Sequence, residues 1–272
     1  MIILLTVGFF LLGITIGSFL NVVIYRLNTN KSLGGRSACM SCTNQLSWYE
    51  LIPIFSFLFL GGRCKNCKVK ISPQYIFIEL VAGIIFAMLF WKFQDIFFLS
   101  TTSFLVTYVY YALILSILLV VAVYDLKHKI IPDTLAFIFG SLAFVGMFFF
   151  ASGGIFGVYN FGWHMPTMLE FSSGLIVAAP FALLWLVSRG KWMGLGDAKL
   201  ALGIGWLLGV SSALSGVAVA FWSGSIIGIA LLFISRKSKS DRIRMKSEIP
   251  FAPFLVFGTF LVFIFELNFF RF

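Results

Sequence analysis

Long stretches of this chain carry no charge. Residues 1–25 are uncharged up to Arg26, and further uncharged runs follow at 80–91, 96–124, 134–163, 171–188, 200–235 and 249–265. The run at 80–91 extends back past Glu79 to about Pro73. A bilayer accepts such runs as helices, because roughly 20 apolar residues rising about 1.5 Å each cross the hydrocarbon. Water does not. Only 11% of the 272 residues are charged, against about 25% in soluble domains. That deficit excludes a soluble globular enzyme and a disordered chain. It also excludes a nucleic-acid binder, whose cations would cluster on a water-facing domain. The class that remains is an all-α polytopic integral membrane protein.

The run 200–235 is far longer than one span needs. Gly203, Gly205 and Gly209, followed by Ser211 and Ser212, mark a break, and we expect one helix near 198–210 and another near 213–235. That makes about eight transmembrane helices. The expected division is a first helix over 1–25, a cytoplasmic loop over 26–73 and a seven-helix region over 74–272. With 26–73 in the cytoplasm and sides alternating, 18 of the 20 cations fall inside, leaving Lys92 and Arg271 outside. This is the positive-inside pattern. Leaving 200–235 unsplit would send the six cations from Arg236 to Lys246 outside. Both termini then face outward. The N-terminal run lacks a basic n-region and a small-x-small cleavage site, so it reads as a retained helix rather than a signal peptide. There is no heptad run, low-complexity tail or evident internal repeat. His164, in the Gly-rich connection 152–167, reads as a solvated or interfacial residue.

The four cysteines form two CxxC pairs, Cys39/Cys42 and Cys64/Cys67, separated by 21 residues in the one large hydrophilic loop. Two such knuckles resemble a four-thiolate zinc site. A loop of this size has too little apolar material for its own core, so a structural metal would supply the fold. Four thiolates leave no open coordination position, which argues against a catalytic ion. Free thiols or a redox pair are the alternatives, and cytoplasmic placement disfavours disulfides.

Among ten carboxylates, three stand in apolar surroundings. Asp125 ends the run 96–124, Asp197 lies in Gly194-Leu-Gly196-Asp-Ala-Lys199-Leu200, and Glu79 lies within the second helix. Taken singly, Asp125 and Asp197 read as helix-end residues or caps. Taken together, they stand at the same membrane border on different helices and can face one another. Two carboxylates in a low-dielectric site hold a proton between them. One then accepts a proton from attacking water while the other polarises a carbonyl. Gly194 and Gly196 remove side chains where a substrate backbone would approach. Lys199 either pairs with Asp197 or snorkels to the border. Glu79 is either a functional intramembrane acid or a partner of the basic loop. His128 reads as a headgroup-level residue beside Asp125.

Several ordered motifs carry a family resemblance. They are Gly17-Ser-Phe-Leu-Asn-Val-Val-Ile-Tyr-Arg26, the double CxxC loop with Leu46-Ser-Trp-Tyr-Glu50 and Ile52-Pro53, and Glu79-Leu80. Asp125-Leu126 with Ile130-Ile-Pro-Asp133, Gly194 to Leu200, and Ile249-Pro-Phe-Ala-Pro-Phe-Leu255 complete the set. Together they resemble the type IV prepilin peptidases, membrane aspartyl proteases of the GxGD type. The resemblance departs at Met40, Gly61, Gln74 and Ala252. It implies cleavage of the basic leader of prepilins and pseudopilins after a Gly at the cytoplasmic membrane border. Asp125 and Asp197 would be the catalytic pair, and Cys39, Cys42, Cys64 and Cys67 the metal set. It also implies N-methylation of the new amino terminus with S-adenosylmethionine, placement in the bacterial inner membrane, and a link to type IV pilus or type II secretion machinery. The basic leader would need Glu50, Glu79, Glu248 or anionic headgroups to receive it. Two other classes compete. An ion-coupled transporter would use the intramembrane acids as a proton relay. A non-catalytic zinc-dependent assembly protein would need the cysteines but not the aspartates.

Overall fold

The computed structural model describes residues 1–29, 32, 34–150, 161–237 and 250–270. Its helices are α1 (Ile2–Arg26), α2 (Phe55–Phe59), α3 (Gln74–Leu99), α4 (Thr101–His128), α5 (Asp133–Gly146), α6 (Met168–Ser188), α7 (Leu195–Lys237) and α8 (Ala252–Phe265), with a 3-10 helix over Trp48–Leu51. Among the described residues the only β pairing is three isolated bridges. Five helices are long and apolar enough to cross a membrane: α1, α3, α4, α6 and α7, while α5 and α8 are shorter apolar helices. The chain is therefore an all-helical, multi-pass membrane protein. The cation-rich segment from Lys239 to Lys246, together with Glu248, lies outside the described residues.

The chain divides into two compact units, Met1–Asp95 and Ile96–Phe272. The loop 26–73, α1 and most of α3 fall within the first unit. In the first unit, α1 meets α3 through residues too small to hold the backbones apart. A Cβ on Gly13 would come within 2.6 Å of the Ala82 carbonyl, and one on Gly17 within 2.8 Å of Glu79 Cα. Small residues at such contacts are how apolar helices associate when lipid tails offer no hydrophobic contrast. Phe9 stacks on Phe90 with ring centroids 4.6 Å apart. Asn21, buried in this interface, donates from Nδ2 to the carbonyls of Gly17 (3.3 Å) and Tyr75 (3.2 Å).

In the second unit, helix ends are set by local chemistry. Ser100 caps α4, accepting from Ser103 N–H, and α4 stops where Lys129 turns left-handed and donates its N–H to the Asp125 carbonyl at 2.7 Å. Pro132 and Asp133 then open α5. A reciprocal capping box opens α6: Thr167 Oγ1 accepts from Glu170 N–H, and Glu170 Oε2 accepts from Thr167 N–H at 2.8 Å, satisfying orphan first-turn donors.

The expected break in the longest run is present. Gly209 sits at φ 74°, ψ 170° inside α7, a conformation that only glycine adopts freely. Contacts on either side show that the chain reverses there. On α6, Gly174 touches Gly205, and Phe181 stacks near Phe221 at 6.5 Å. The two α6 positions are about 10 Å apart along the axis, whereas a straight helix would separate 205 and 221 by about 24 Å. The buried Ser173 hydroxyl donates to the Gly205 carbonyl at 2.8 Å, so an acceptor near the break keeps a partner. After the break, Gly216 packs on Gly258 of α8 and Gly224 on Phe254.

These glycine contacts predict a contrast. A Cβ at Gly205 would lie 2.6 Å from Gly174 Cα, whereas at Gly140 nothing lies within 4 Å. Gly205→Ala should destabilise the protein by about 1–3 kcal/mol. Gly140→Ala, in the interior of α5, should stabilise it by up to about 1 kcal/mol. Thermal unfolding in detergent checks both signs.

Candidate active site and metal centre

The second unit buries two carboxylates. Asp125, in the last turn of α4, is 5% exposed, and Asp197, in the first turn of α7, is 8% exposed. They lie within electrostatic reach of one another. The Asp125 carboxylate faces the backbone N–H of Ala252 at the start of α8, and the Asp197 carboxylate faces the backbone N–H of Gly194. Three helix ends and one loop therefore converge on the pair. Asp197 Oδ1 is buried with no hydrogen-bond partner among the described residues. A buried carboxylate oxygen left this way is costly for stability alone and suits an atom that must engage a reactant.

The two glycines before Asp197 differ in role. A Cβ on Gly196 would lie 2.9 Å from Ile131 Cβ, so this glycine lets the α7 start pack on the Ile130-Ile131-Pro132 turn after α4. At Gly194 the nearest atom to such a Cβ is Asp197 Oδ2, at 3.8 Å. Backbone approach by a substrate is thus an expectation for Gly194; Gly196 is occupied by packing. Lys199 pairs with Asp133 rather than Asp197: its Nζ contacts Asp133 Oδ1 at 2.6 Å. Both partners are well exposed, so the pair contributes at most about 1 kcal/mol. His128 lies against the Tyr124 ring, with centroids 4.4 Å apart.

In the first unit the four cysteine sulfurs all lie within 4.8 Å of one another, with Cys39 and Cys67 Sγ 3.7 Å apart. A tetrahedral zinc with Zn–S near 2.3 Å needs sulfurs about 3.8 Å apart, so these residues fit one ion. The backbone supports this fit. Thr43 N–H donates to the Cys39 carbonyl and Lys68 N–H to the Cys64 carbonyl. Cys39 N–H donates to Asn44 and Cys64 N–H to Val69, both at 2.9 Å. Thr43 and Lys68 share φ 56°, and the bridges Ala38↔Gln45 and Arg63↔Lys70 close both turns. The two knuckles are one local structure used twice. No internal repeat was evident in the sequence, although the paired CxxC spacing was its signal. The N–H groups of Cys42 and Ser41 bring the Cys39 thiol down to about 6. At Cys67 the Val69 N–H lowers the thiol, but desolvation and the other three cysteines outweigh it and push the group up to about 11. A divalent ion would supply the charge that lets all four ionise.

Among the described residues, no cation pairs with Glu79. It is 7% exposed, and its Oε2 accepts from the Ile54 N–H at 2.7 Å. Ile54 stands at φ 61°, ψ −53°, with Phe55 N–H donating to the Pro53 carbonyl at 2.6 Å. That is a γ-turn at a β-branched residue, a strained conformation, and the carboxylate helps to hold it. Glu50 is also engaged locally: its Oε2 accepts from Ser47 N–H at 2.8 Å in a capping box. Sequence reasoning missed three partners: Ala252 N–H, Ile54 N–H and the Asp133–Lys199 pair. Only the last had a signal, opposite charges in two adjacent motifs.

Comparison with known proteins agrees with both halves. A family model described as the bacterial peptidase A24 N-terminal domain matches residues 11–93, and one described as the type IV leader peptidase family matches residues 112–233. A Vibrio cholerae protein named prepilin leader peptidase/N-methyltransferase is 31% identical over 266 residues, covering 94% of each chain. The chain belongs to the type IV leader peptidase family. A Bacillus subtilis protein of the same name is 30% identical over 94% of this chain and 92% of its own. A Myxococcus xanthus one is 30% identical over 86% of this chain and 65% of its own length. No solved structure matches the chain at a significant level. The N-terminal family match spans the knuckles and Glu79. The leader peptidase match spans both aspartates.

Gly196→Val should therefore impair leader cleavage by displacing the Ile131 turn and with it the Asp197 backbone. Lys199→Ala should leave thermal stability within about 1 kcal/mol of the parent. Purified protein should carry one zinc per chain by elemental analysis, and Cys64→Ser should lose it.

Proposed function

We propose that this chain is a membrane aspartyl endopeptidase that removes the basic leader of type IV prepilins and pseudopilins and then methylates the new amino terminus. The observation that carries the peptidase half is the buried Asp125–Asp197 pair at adjoining helix ends, with one Asp197 oxygen unpartnered. The full-length likeness to relatives named prepilin leader peptidase/N-methyltransferase supports both halves.

Hydrolysis then follows from the pair acting as one titrating unit. Water lies between the carboxylates. The ionised carboxylate takes a proton from water as its oxygen attacks the scissile carbonyl carbon. The protonated carboxyl hydrogen-bonds the carbonyl oxygen as negative charge develops there. Collapse of the tetrahedral adduct breaks the C–N bond, and a proton passes to the leaving amine. A leader peptide with a free carboxylate and a pilin with a free amino terminus remain. Exclusion of bulk water by α4, α7 and the start of α8 strengthens each of these interactions.

Zinc, held by Cys39, Cys42, Cys64 and Cys67, serves to stabilise the loop fold in this reading. S-adenosylmethionine is the methyl donor that the family resemblance implies, and no residue of this chain is assigned to it. The eight-span threading with both termini outside belongs to the same proposal, as does placement beside pilus or type II secretion machinery. A proton relay would need acids distributed through the bilayer. The buried carboxylates of the second unit, among the described residues, are instead this one pair, close enough for the charge of Asp125 to act on Asp197.

The test uses proteoliposomes, a candidate prepilin and a labelled methyl donor, with cleavage and methylation scored separately. Asp125→Asn and Asp197→Asn should each slow cleavage by at least about 100-fold while a pre-cleaved pilin is still methylated. Normal cleavage by either variant would end the assignment of the pair.

A further inference from the structure

Between the two cysteine knuckles lies a segment that belongs to neither the sulfur cluster nor the carboxylate pair. Residues 48–60 read Trp-Tyr-Glu-Leu-Ile-Pro-Ile-Phe-Ser-Phe-Leu-Phe-Leu, which is too apolar for an ordinary hydrophilic loop. Its short helix α2 has two faces. Phe57 turns inward, where its ring would meet a Cβ on Gly62 at 2.9 Å. Phe55, Leu58 and Phe59, spaced i, i+3, i+4 on one face, point away and are 52%, 64% and 87% exposed. Trp48, Leu51 and Ile52 are exposed beside them. A contiguous apolar patch of this kind marks an interaction surface.

The structure also sets its depth. Glu79 is the sixth residue of α3, so it stands about 8 Å along that membrane-spanning helix from its start. Its carboxylate holds the Ile54 N–H, one residue before α2. The segment is thereby tied to the leaflet that α3 enters, at the depth of about 5–10 Å that interfacial helices reach. Charge identifies the partner. The exposed side chains just beyond the patch include Arg63, Lys65, Lys68 and Lys70, and Glu50 is the only acid in residues 26–73. Such a rim repels a basic peptide and attracts anionic headgroups.

We propose that residues 48–60 lie in the headgroup–acyl boundary of an anionic bilayer. Phe55, Leu58 and Phe59 enter the acyl region, and the cations at 63–70 sit on the headgroups. Glu79 is the tether, and the cysteine knuckles are held flat on the membrane surface by the segment between them. This assignment does not depend on the peptidase reaction. The substrate's new amino terminus would emerge at such a border, so a loop anchored there is placed for work on it.

Full-length protein carrying p-benzoyl-phenylalanine at Phe59, at Leu58 or, as a control in the first knuckle, at Met40 is placed in nanodiscs of phosphatidylglycerol and phosphatidylcholine. After irradiation, lipid adducts are counted by mass spectrometry. Positions 58 and 59 should give at least about fivefold more lipid adduct than position 40. The yield should fall when phosphatidylglycerol is omitted and when Glu79→Ala is introduced. Lipid adducts at 58 and 59 no more frequent than at 40, or cross-links there to protein instead of lipid, would overturn the assignment. A yield indifferent to phosphatidylglycerol would overturn its electrostatic half.

Discussion

Two acidic side chains can be buried together here because the helix ends that carry them approach closely through glycine. Gly196 lets the start of α7 rest on Ile131, six residues past Asp125 in the turn after α4. Further along the same helix, Gly203 admits the Phe139 ring and Gly205 meets the backbone at Gly174. In a membrane the apolar faces of helices gain little by leaving lipid, so close backbone approach must supply the association. The candidate dyad inherits its geometry from those contacts. A bulkier residue at any of them would move a carboxylate before it touched any chemistry.

The same economy governs polar groups. Each buried backbone group needs a partner, since lipid supplies none. Glu79 answers a loop N–H, Ser173 a carbonyl near the α7 break, and Asn21 one carbonyl on its own helix and one, that of Tyr75, across the interface with α3. Asp125 and Asp197 each face a backbone N–H at a helix start. Asp197 Oδ1 is one of five buried side-chain atoms left without a partner among the described residues, and the only carboxylate oxygen of the five. The first unit solves a different problem. Its loop has too little apolar interior to fold on its own, and two knuckles with matching hydrogen bonds bring four sulfurs to one point. The strained turn at Ile54 is held in place by a carboxylate from a neighbouring helix.

Much of this was legible in the residues alone. Uncharged runs gave the helices because backbone satisfaction in lipid leaves few other structures. Gly209 was legible as a break because a 36-residue run exceeds one span and glycine tolerates the required φ. The CxxC pairs announced a four-sulfur cluster because that spacing suits few other purposes. Lys199 was not legible: the sequence offered Asp197 or the membrane border, and the partner is Asp133. Nor was the separate duty of Gly196, whose neighbour is 65 residues away in the chain.

The membrane class, the CxxC spacing behind the four-sulfur cluster and the candidacy of the two aspartates follow from one-dimensional pattern, because hydropathy and ligand spacing act over a few residues. Which N–H each carboxylate faces, which glycine is filled, and where Glu79 reaches are matters of packing between elements far apart in the chain. Those contacts depend on how helix surfaces interlock over distances that no local pattern encodes. Folding alone brings Ala252 to Asp125 and Ile54 to Glu79.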